Sequence, residues 1–99
     1  ILEQMAAKPG DWFGLKMAKF VTFNYIWLNF ETKDAVAAGH VEVSKDLGKT
    51  WQKIDLTVEG SLVHGSLDSA AGYNAVRWIN RSESPVVFKI VRFNVDVVK

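Results

Sequence analysis

Apolar residues recur at every second position along most of this chain, and this alternation limits the possible folds more than any other feature. In residues 40–44 two valines alternate with polar side chains, and residues 86–98 repeat the pattern over a longer stretch. A period of two is that of a β-strand, whose successive side chains point to opposite faces. The sequence therefore predicts an all-β fold. The side chains expected to point inward from the last stretch are Val91, Phe93, Val95 and Val97.

Turn signals divide the alternating stretches into short strands. Residues 1–10 carry no clear pattern and are predicted to be an irregular or short helical lead that Pro9-Gly10 ends. Asp46-Leu47-Gly48-Lys49 predicts a tight hairpin turn in which Gly48 takes a positive φ. Several short strands separated by turns are typical of an antiparallel β-sandwich, and 99 residues suit a single domain. The predicted strands are residues 12–17, 20–30, 40–44, 51–58, 61–67, 75–79 and 86–98, and the predicted loops are residues 31–39, 68–72 and 80–85.

Residues 20–30 are apolar on both faces, which predicts a central strand that is covered on both sides. One face is expected to carry Phe23, Tyr25 and Trp27, and the other Ile26, Leu28 and Phe30. The four tryptophans fall in predicted strands, so they are predicted to fill the space between the sheets. Trp51 is expected to pack across its hairpin against the valines. These tryptophans are Trp12, Trp27, Trp51 and Trp78.

The composition argues against several classes of function. Twelve basic and eleven acidic residues are spread along the chain, so no basic stripe for a nucleic acid or a membrane is expected. The absence of cysteine excludes disulfides and thiolate sites. His40 and His64 are far apart in sequence, unlike the paired ligands of a zinc site. No nucleophile turn or phosphate-binding glycine loop is present. We therefore predict no catalytic residue, metal or cofactor.

Four segments together resemble a known family. They are Trp12-Phe13-Gly14-Leu15, the hairpin Val-Glu-Val-Ser-Lys-Asp-Leu-Gly-Lys-Thr-Trp at residues 41–51, Ala75-Val76-Arg77-Trp78-Ile79, and the closing strand at residues 88–95. In order and spacing they resemble discoidin-type domains (coagulation factor 5/8 type C) and the related family 32 carbohydrate-binding modules. Within this group the chain is most similar to the modules that follow the catalytic barrel in bacterial family 84 hexosaminidases and hyaluronidases.

The resemblance implies a jelly-roll, galactose-binding-domain-like sandwich, of which this chain would be an incomplete version without the first strands. It also implies the C-terminal fragment of a larger glycoside hydrolase, β-N-acetylglucosaminidase-like or hyaluronidase-like, that is secreted, periplasmic or on the cell surface. The chain would then be a non-catalytic accessory module that packs against or supports the catalytic domain of the same parent chain.

Two other functions stay open: a carbohydrate-binding module that targets the enzyme to glycans, and a protein–protein adhesion sandwich. Residues 31–39 contain neither the Arg nor the Asn that sugar-binding relatives present from the corresponding loop. Tyr73 follows a small-residue loop and is predicted to be an exposed aromatic. A ligand-facing end is predicted to combine Asp34, Tyr73, Asn74 and Arg81, provided that the loops 31–39, 68–74 and 80–85 cluster.

Overall fold

The computed structural model describes residues 5–7, 12–16 and 21–97, and it confirms an all-β sandwich of two antiparallel sheets. The larger sheet contains β1 (Met5–Ala7), β3 (Val21–Phe30), β6 (Thr57–Glu59), β7 (Leu62–Ser66) and β9 (Val86–Val97), in the spatial order β1-β9-β3-β7-β6. The smaller sheet contains β2 (Trp12–Lys16), β4 (Gly39–Ser44), β5 (Gln52–Ile54) and β8 (Ala75–Asn80), in the order β2-β8-β4-β5. The prediction of an irregular or short helical lead at residues 1–10 is wrong for Met5–Ala7, which form β1 and pair with β9. The rest of this lead lies outside the described residues.

Two segments predicted as loops contain short 3-10 helices, Lys33–Ala38 and Ser69–Ala71. In the first, the N–H of Ala35 donates a hydrogen bond to the carbonyl of Thr32 at 3.3 Å. Helices this short are used as connectors, and alternation in the sequence does not reveal them. The loop prediction for residues 31–39 and 68–72 is therefore wrong where these turns form.

Ile26, Leu28 and Phe30 share the core face of β3 as predicted. The predicted face of Phe23 is wrong, because the strand contains a bulge. Its pairing with β9 shifts between Phe23 and Tyr25, so Asn24 is an extra residue. The carbonyl of Asn24 accepts a hydrogen bond from the N–H of Leu67 at 2.8 Å. Phe23 therefore lies in the core with Ile26, whereas Tyr25 lies on the outer face and is half-buried. The outer face of β3 is not covered as completely as the sequence predicts.

Three aromatic rings pack together at the centre of the core. Phe30 and Phe88 come from the larger sheet and Trp78 from the smaller sheet, and all three side chains are buried. Their ring centroids are 4.9 to 5.4 Å apart, with the ring of Trp78 at right angles to that of Phe88. Such contacts stabilise a core beyond the area they bury. They join the two sheets directly.

The tryptophans differ in their positions, contrary to the prediction that all four fill the core. Trp78 is buried, but Trp27 and Trp51 are half-buried on outer surfaces, and the side chain of Trp12 lies outside the described residues. The indole of Trp51 stacks on Arg77, whose guanidinium carbon is 4.1 Å from the ring centroid. It also lies over the turn at Gly48, where a Cβ would come within 3.1 Å of it.

Residues 51–58, predicted as one strand, form two strands in different sheets. β5 pairs with β4 in the smaller sheet, whereas β6 pairs with β7 in the larger sheet. The chain crosses between them at Asp55 and Leu56. Leu56 packs over Gly65, where a Cβ would lie only 2.8 Å from a Leu56 methyl carbon. The missing side chain at Gly65 therefore makes room for the crossing.

The inward face of the last strand is confirmed only in part. Val91 is buried and Phe93 packs against the core, with its ring edge-to-face with Phe23 at 5.8 Å. Val95, however, is 40% exposed. β9 has 12 residues whereas no described strand of the opposing sheet has more than six, so its end extends beyond the described cover of that sheet. The side chain of Val97 lies outside the described residues.

We predict that Trp78→Ala costs about 3–5 kcal/mol of unfolding free energy, the usual loss for a large buried aromatic. Trp51→Ala should cost about 1–2 kcal/mol, because it removes a half-buried ring and one cation–π contact. Urea unfolding of both variants measures the difference. An equal loss in the two variants would contradict the assignment of Trp51 to the surface.

Candidate functional site

The four residues predicted to share one ligand-facing end lie at opposite ends of β8. In the pairing of β8 with β4, Asn80 lies opposite Gly39 and Ala75 lies opposite Ser44. Asp34 and Arg81 are exposed at the Asn80 end, where the N–H of Arg81 donates to the carbonyl of Ala38. A strand of six residues separates them from Tyr73 and Asn74 by about 20 Å. The predicted clustering of the three loops is therefore wrong. The four residues lie in two groups, Asp34 and Arg81 at one end of β8 and Tyr73 and Asn74 at the other.

Tyr73 and Asn74 border the hairpin turn, and both are more enclosed than predicted. Asn74 is buried; its Oδ1 accepts the N–H of Leu47 at 2.9 Å, and its Nδ2 donates to the carbonyl of Lys45 at 3.1 Å. Its amide therefore holds the turn. Tyr73 is half-buried against the core, with the Lys45 Nζ 5.5 Å from its ring centroid.

The hairpin turn at residues 44–50 is confirmed, with Gly48 at a φ of 89°. Leu47 also takes a left-handed φ, 59°, which is strained for a residue with a side chain. Asp46 Oδ1 accepts hydrogen bonds from Ser44 Oγ and the N–H of Thr50, and its Oδ2 accepts one from Thr50 Oγ1. These bonds, with that from Ser44 the strongest, hold the pKa of Asp46 well below its ordinary value.

Asn80-Arg81-Ser82 matches the N-glycosylation triplet, but the structure gives Asn80 another role. Its side chain is fully buried and its Nδ2 donates to the carbonyl of Ser84 at 2.8 Å. Its Oδ1 accepts both the N–H and the hydroxyl of Ser82. An amide that is held in this way closes the loop after β8 and is inaccessible to glycosylation.

A polar network that the sequence does not predict lies on the outer face of the smaller sheet. Glu42 accepts a hydrogen bond from the Arg77 guanidinium at 2.7 Å and lies 3.1 Å from His40 Nε2. Burial would by itself raise the pKa of Glu42, but the hydrogen bonds and charges of His40 and Arg77 outweigh it, and the pKa is lowered. Trp51 covers Arg77 from the other side. Together the four side chains stabilise the outer face of the smaller sheet. They are His40, Glu42, Trp51 and Arg77.

A row of half-buried rings crosses the outer face of the larger sheet. Tyr25 and Trp27 lie on β3 with ring centroids 6.4 Å apart, and His64 of β7 lies 5.7 Å from Trp27. His64 is directly opposite Trp27 in the strand register, and Arg92 of β9 is opposite Trp27 on the other side. We call Tyr25, Trp27 and His64 the aromatic row. Exposed polar residues that pair with members of the row are Thr57, Ser66, Arg92 and Asn94.

The bulge at Asn24 is why the sequence did not identify the aromatic row. Strict alternation assigned Tyr25 and Trp27 to the same covered face as Phe23. The presence of two aromatics at positions i and i+2 was a signal for a shared face, but not for its exposure. The three rings are neighbours on one sheet face, each tilted by 35–38° to the next, and polar side chains lie at their margin.

Within residues 5–7, 12–16 and 21–97, no three histidine or acidic side chains are grouped closely enough to hold a metal ion. The helices of the described part are too short to cross a membrane. No family model matches the sequence, and no curated protein matches it. The candidate site is therefore defined by its geometry, and the aromatic row is the surface best suited to binding.

We predict that Glu42→Gln costs about 1–3 kcal/mol of unfolding free energy at pH 7, because it leaves the half-buried Arg77 without its carboxylate. Glu42 has a lowered pKa when folded, so its contribution is present above its ordinary pKa of 4.5 and is lost as the pH falls through the folded value. The difference between the wild type and the variant should therefore shrink in acid.

Urea unfolding at several pH values between 3 and 7, about the range over which a carboxylate titrates, checks this prediction. Glu83→Gln is the matched control, since Glu83 is exposed and the same charge is removed. Its stability should stay within about 0.5 kcal/mol of the wild type. If Glu42→Gln unfolds at the same urea concentration as Glu83→Gln, the network contributes nothing to the fold.

Proposed function

We propose that this chain is a non-catalytic accessory module of a secreted glycoside hydrolase, and that it binds glycan through the aromatic row. One observation supports this most strongly: three neighbouring rings on an open sheet face are flanked by exposed hydrogen-bonding side chains. The C–H faces of a sugar ring stack on aromatic rings, while its hydroxyl groups bind polar groups at the margin.

The polar margin distinguishes a glycan from a protein partner at this face. Arg92 and Asn94 on β9 and Ser66 on β7 are exposed beside the rings. Glu59 lies 3.4 Å from His64 Nε2, so a carboxylate also borders the row. A surface that packs permanently against another domain is more apolar at its centre than one that exchanges ligands. The mixed composition here favours a reversible contact with a hydroxylated ligand.

Trp27→Ala should weaken binding to a neutral polysaccharide by about tenfold or more, because the central ring of the row is lost. Affinity gel electrophoresis against a panel of neutral plant, bacterial and amino-sugar polysaccharides measures the loss. Trp51→Ala is the matched control, since it removes another half-buried tryptophan from the opposite sheet. If a polysaccharide retards Trp27→Ala as strongly as Trp51→Ala, the proposal is refuted. It is also refuted if no polysaccharide retards the wild type.

We further predict that the chain alone releases no 4-nitrophenol from its N-acetylglucosaminide. Glycoside hydrolysis requires two carboxylates about 5–10 Å apart across one bond, or an acetamide in place of one of them. Asp34 and Asp68 are exposed on connections at opposite ends of the sandwich, so they cannot flank one bond. Turnover above a buffer blank that disappears in Asp34→Asn or Asp68→Asn would show that the chain is an enzyme.

A second candidate function, packing against the catalytic domain of the parent chain, is favoured by a different observation. At the open edge beside β5 and β6 there is a cleft of about 180 Å³ whose apolar lining includes Val36, Ile54 and Leu56. Val58 on β6 borders this cleft and is 57% exposed although it faces the inner side of the sheet. An apolar side chain of a neighbouring domain would fill this cleft and cover Val58.

A further inference from the structure

A polar groove of about 380 Å³ opens between the hairpin turn and the loop that precedes β8. It lies beyond the ends of the neighbouring strands β4 and β8 and is separate from the aromatic row. Gly72 borders open space, since a Cβ at this position would have no heavy atom within 4 Å. The residues that line the groove are Lys45, Asp46, Leu47, Lys49, Gly72 and Asn74.

The groove is positively charged. Lys45 and Lys49 line it, and Lys16 reaches the turn from β2, with its Nζ 3.2 Å from the position that a Cβ on Gly48 would take. Asp46 is the one carboxylate among the lining residues, and both of its oxygens already accept hydrogen bonds from Ser44 and Thr50. Among the described lining residues, two lysines and one aspartate give a local charge of +1.

Hydrogen bonds from side chains of the protein itself order the turn that carries Lys45 and Lys49. Ser44 Oγ accepts the N–H groups of Asp46 and Gly48, at 3.2 and 2.9 Å. Asn74 holds the N–H of Leu47 and the carbonyl of Lys45. The strained φ of Leu47 is maintained by these bonds. Because the turn is already ordered, a ligand that binds beside it does not have to order the backbone.

One member of the aromatic row, Tyr25 on the larger sheet, lies toward the end of the sandwich at which the groove opens beside the smaller sheet. The N–H of Phe23 donates to the carbonyl of Tyr73 at 2.7 Å, so the start of β3 adjoins the loop beside the groove. Tyr25, the nearest member of the row, follows Phe23 by two positions and one bulge residue. A linear polymer that contacts Tyr25 is therefore close to the end of the molecule at which Lys45 and Lys49 lie.

We propose that this groove binds the carboxylate or sulfate groups of an acidic glycan. This inference rests on the proposed function for its choice of a glycan, whereas the charge of the groove stands independently of it. The ammonium groups of Lys45 and Lys49 bind the acidic group by charge-assisted hydrogen bonds. The aromatic row contacts sugar rings of the same polymer, so the two contacts reinforce each other through effective concentration.

The test compares two double variants of the full chain with the same loss of charge. Lys45→Gln/Lys49→Gln alters the groove, and Lys33→Gln/Lys89→Gln removes two exposed lysines elsewhere. Titrations use dextran sulfate, polygalacturonate and uncharged dextran, so that binding to sulfate groups, to carboxylate groups and to an uncharged polysaccharide can be compared. We expect the groove variant to lose about tenfold or more in affinity for at least one charged polymer, while the control variant keeps the affinity of the wild type. Amide signals of Leu47 and Gly48 should shift on binding.

Each other result has a definite meaning. Equal affinity of the two double variants for both charged polymers would overturn the groove proposal, as would binding of poly-L-glutamate as tight as that of polygalacturonate. Retention of neutral-polysaccharide binding by Trp27→Ala, together with loss of charged-polymer binding in the groove variant, would refute the aromatic row and leave the groove standing. Loss of neutral-polysaccharide binding in Trp27→Ala, together with equal affinity of the two double variants for the charged polymers, would support the aromatic row and refute the groove.

Discussion

The pairing of β3 with β9, interrupted by the bulge at Asn24, is the constraint on which the two faces of the larger sheet depend. A strand with strict alternation would place Phe23 on the same side as Tyr25 and Trp27. The extra residue reverses this relationship, so Phe23 joins Ile26 in the core while the other two rings turn outward. The core thereby keeps its aromatic packing, and the outer face gains the aromatic row. One inserted residue therefore determines both the stability of the sheet and the chemistry of its surface.

Polar residues in this sandwich are used mainly to hold loops and strand surfaces. Asn74 and Asp46 bond within the hairpin turn, Asn80 bonds within the loop after β8, and Glu42 binds Arg77. A polar side chain whose hydrogen-bonding groups are all used by the protein has little capacity left for a ligand. Exposed polar side chains at the margin of the aromatic row, and Lys45 and Lys49 of the groove, are more accessible to a ligand. For this reason the aromatic row and the groove are better suited to bind a ligand than the polar groups that already bond within the protein.

Local patterns predicted the parts of the fold that depend on neighbouring residues. Alternation identified β4 and most of β8 and β9, and the Asp-Leu-Gly-Lys segment identified the turn. Features that depend on distant partners were missed. The crossing at Leu56 requires the space at Gly65, and the Glu42–Arg77 pair requires the register of β4 with β8. The predicted ligand-facing end failed for the same reason, since loops adjacent in sequence to one strand lie at its opposite ends.

The position of β9 also affects folding of the chain during its synthesis. This strand lies between β1 and β3 in the larger sheet, although it is the last of the described strands in chain order. It also supplies Phe88 and Val91 to the core. The backbone edge of β3 that pairs with β9 therefore stays unpaired until residues 86–97 have been synthesised. Pairings between such distant segments form slowly, and unpaired apolar strands aggregate. Pairing of this edge of β3 thus depends on a strand more than 50 residues away in the sequence.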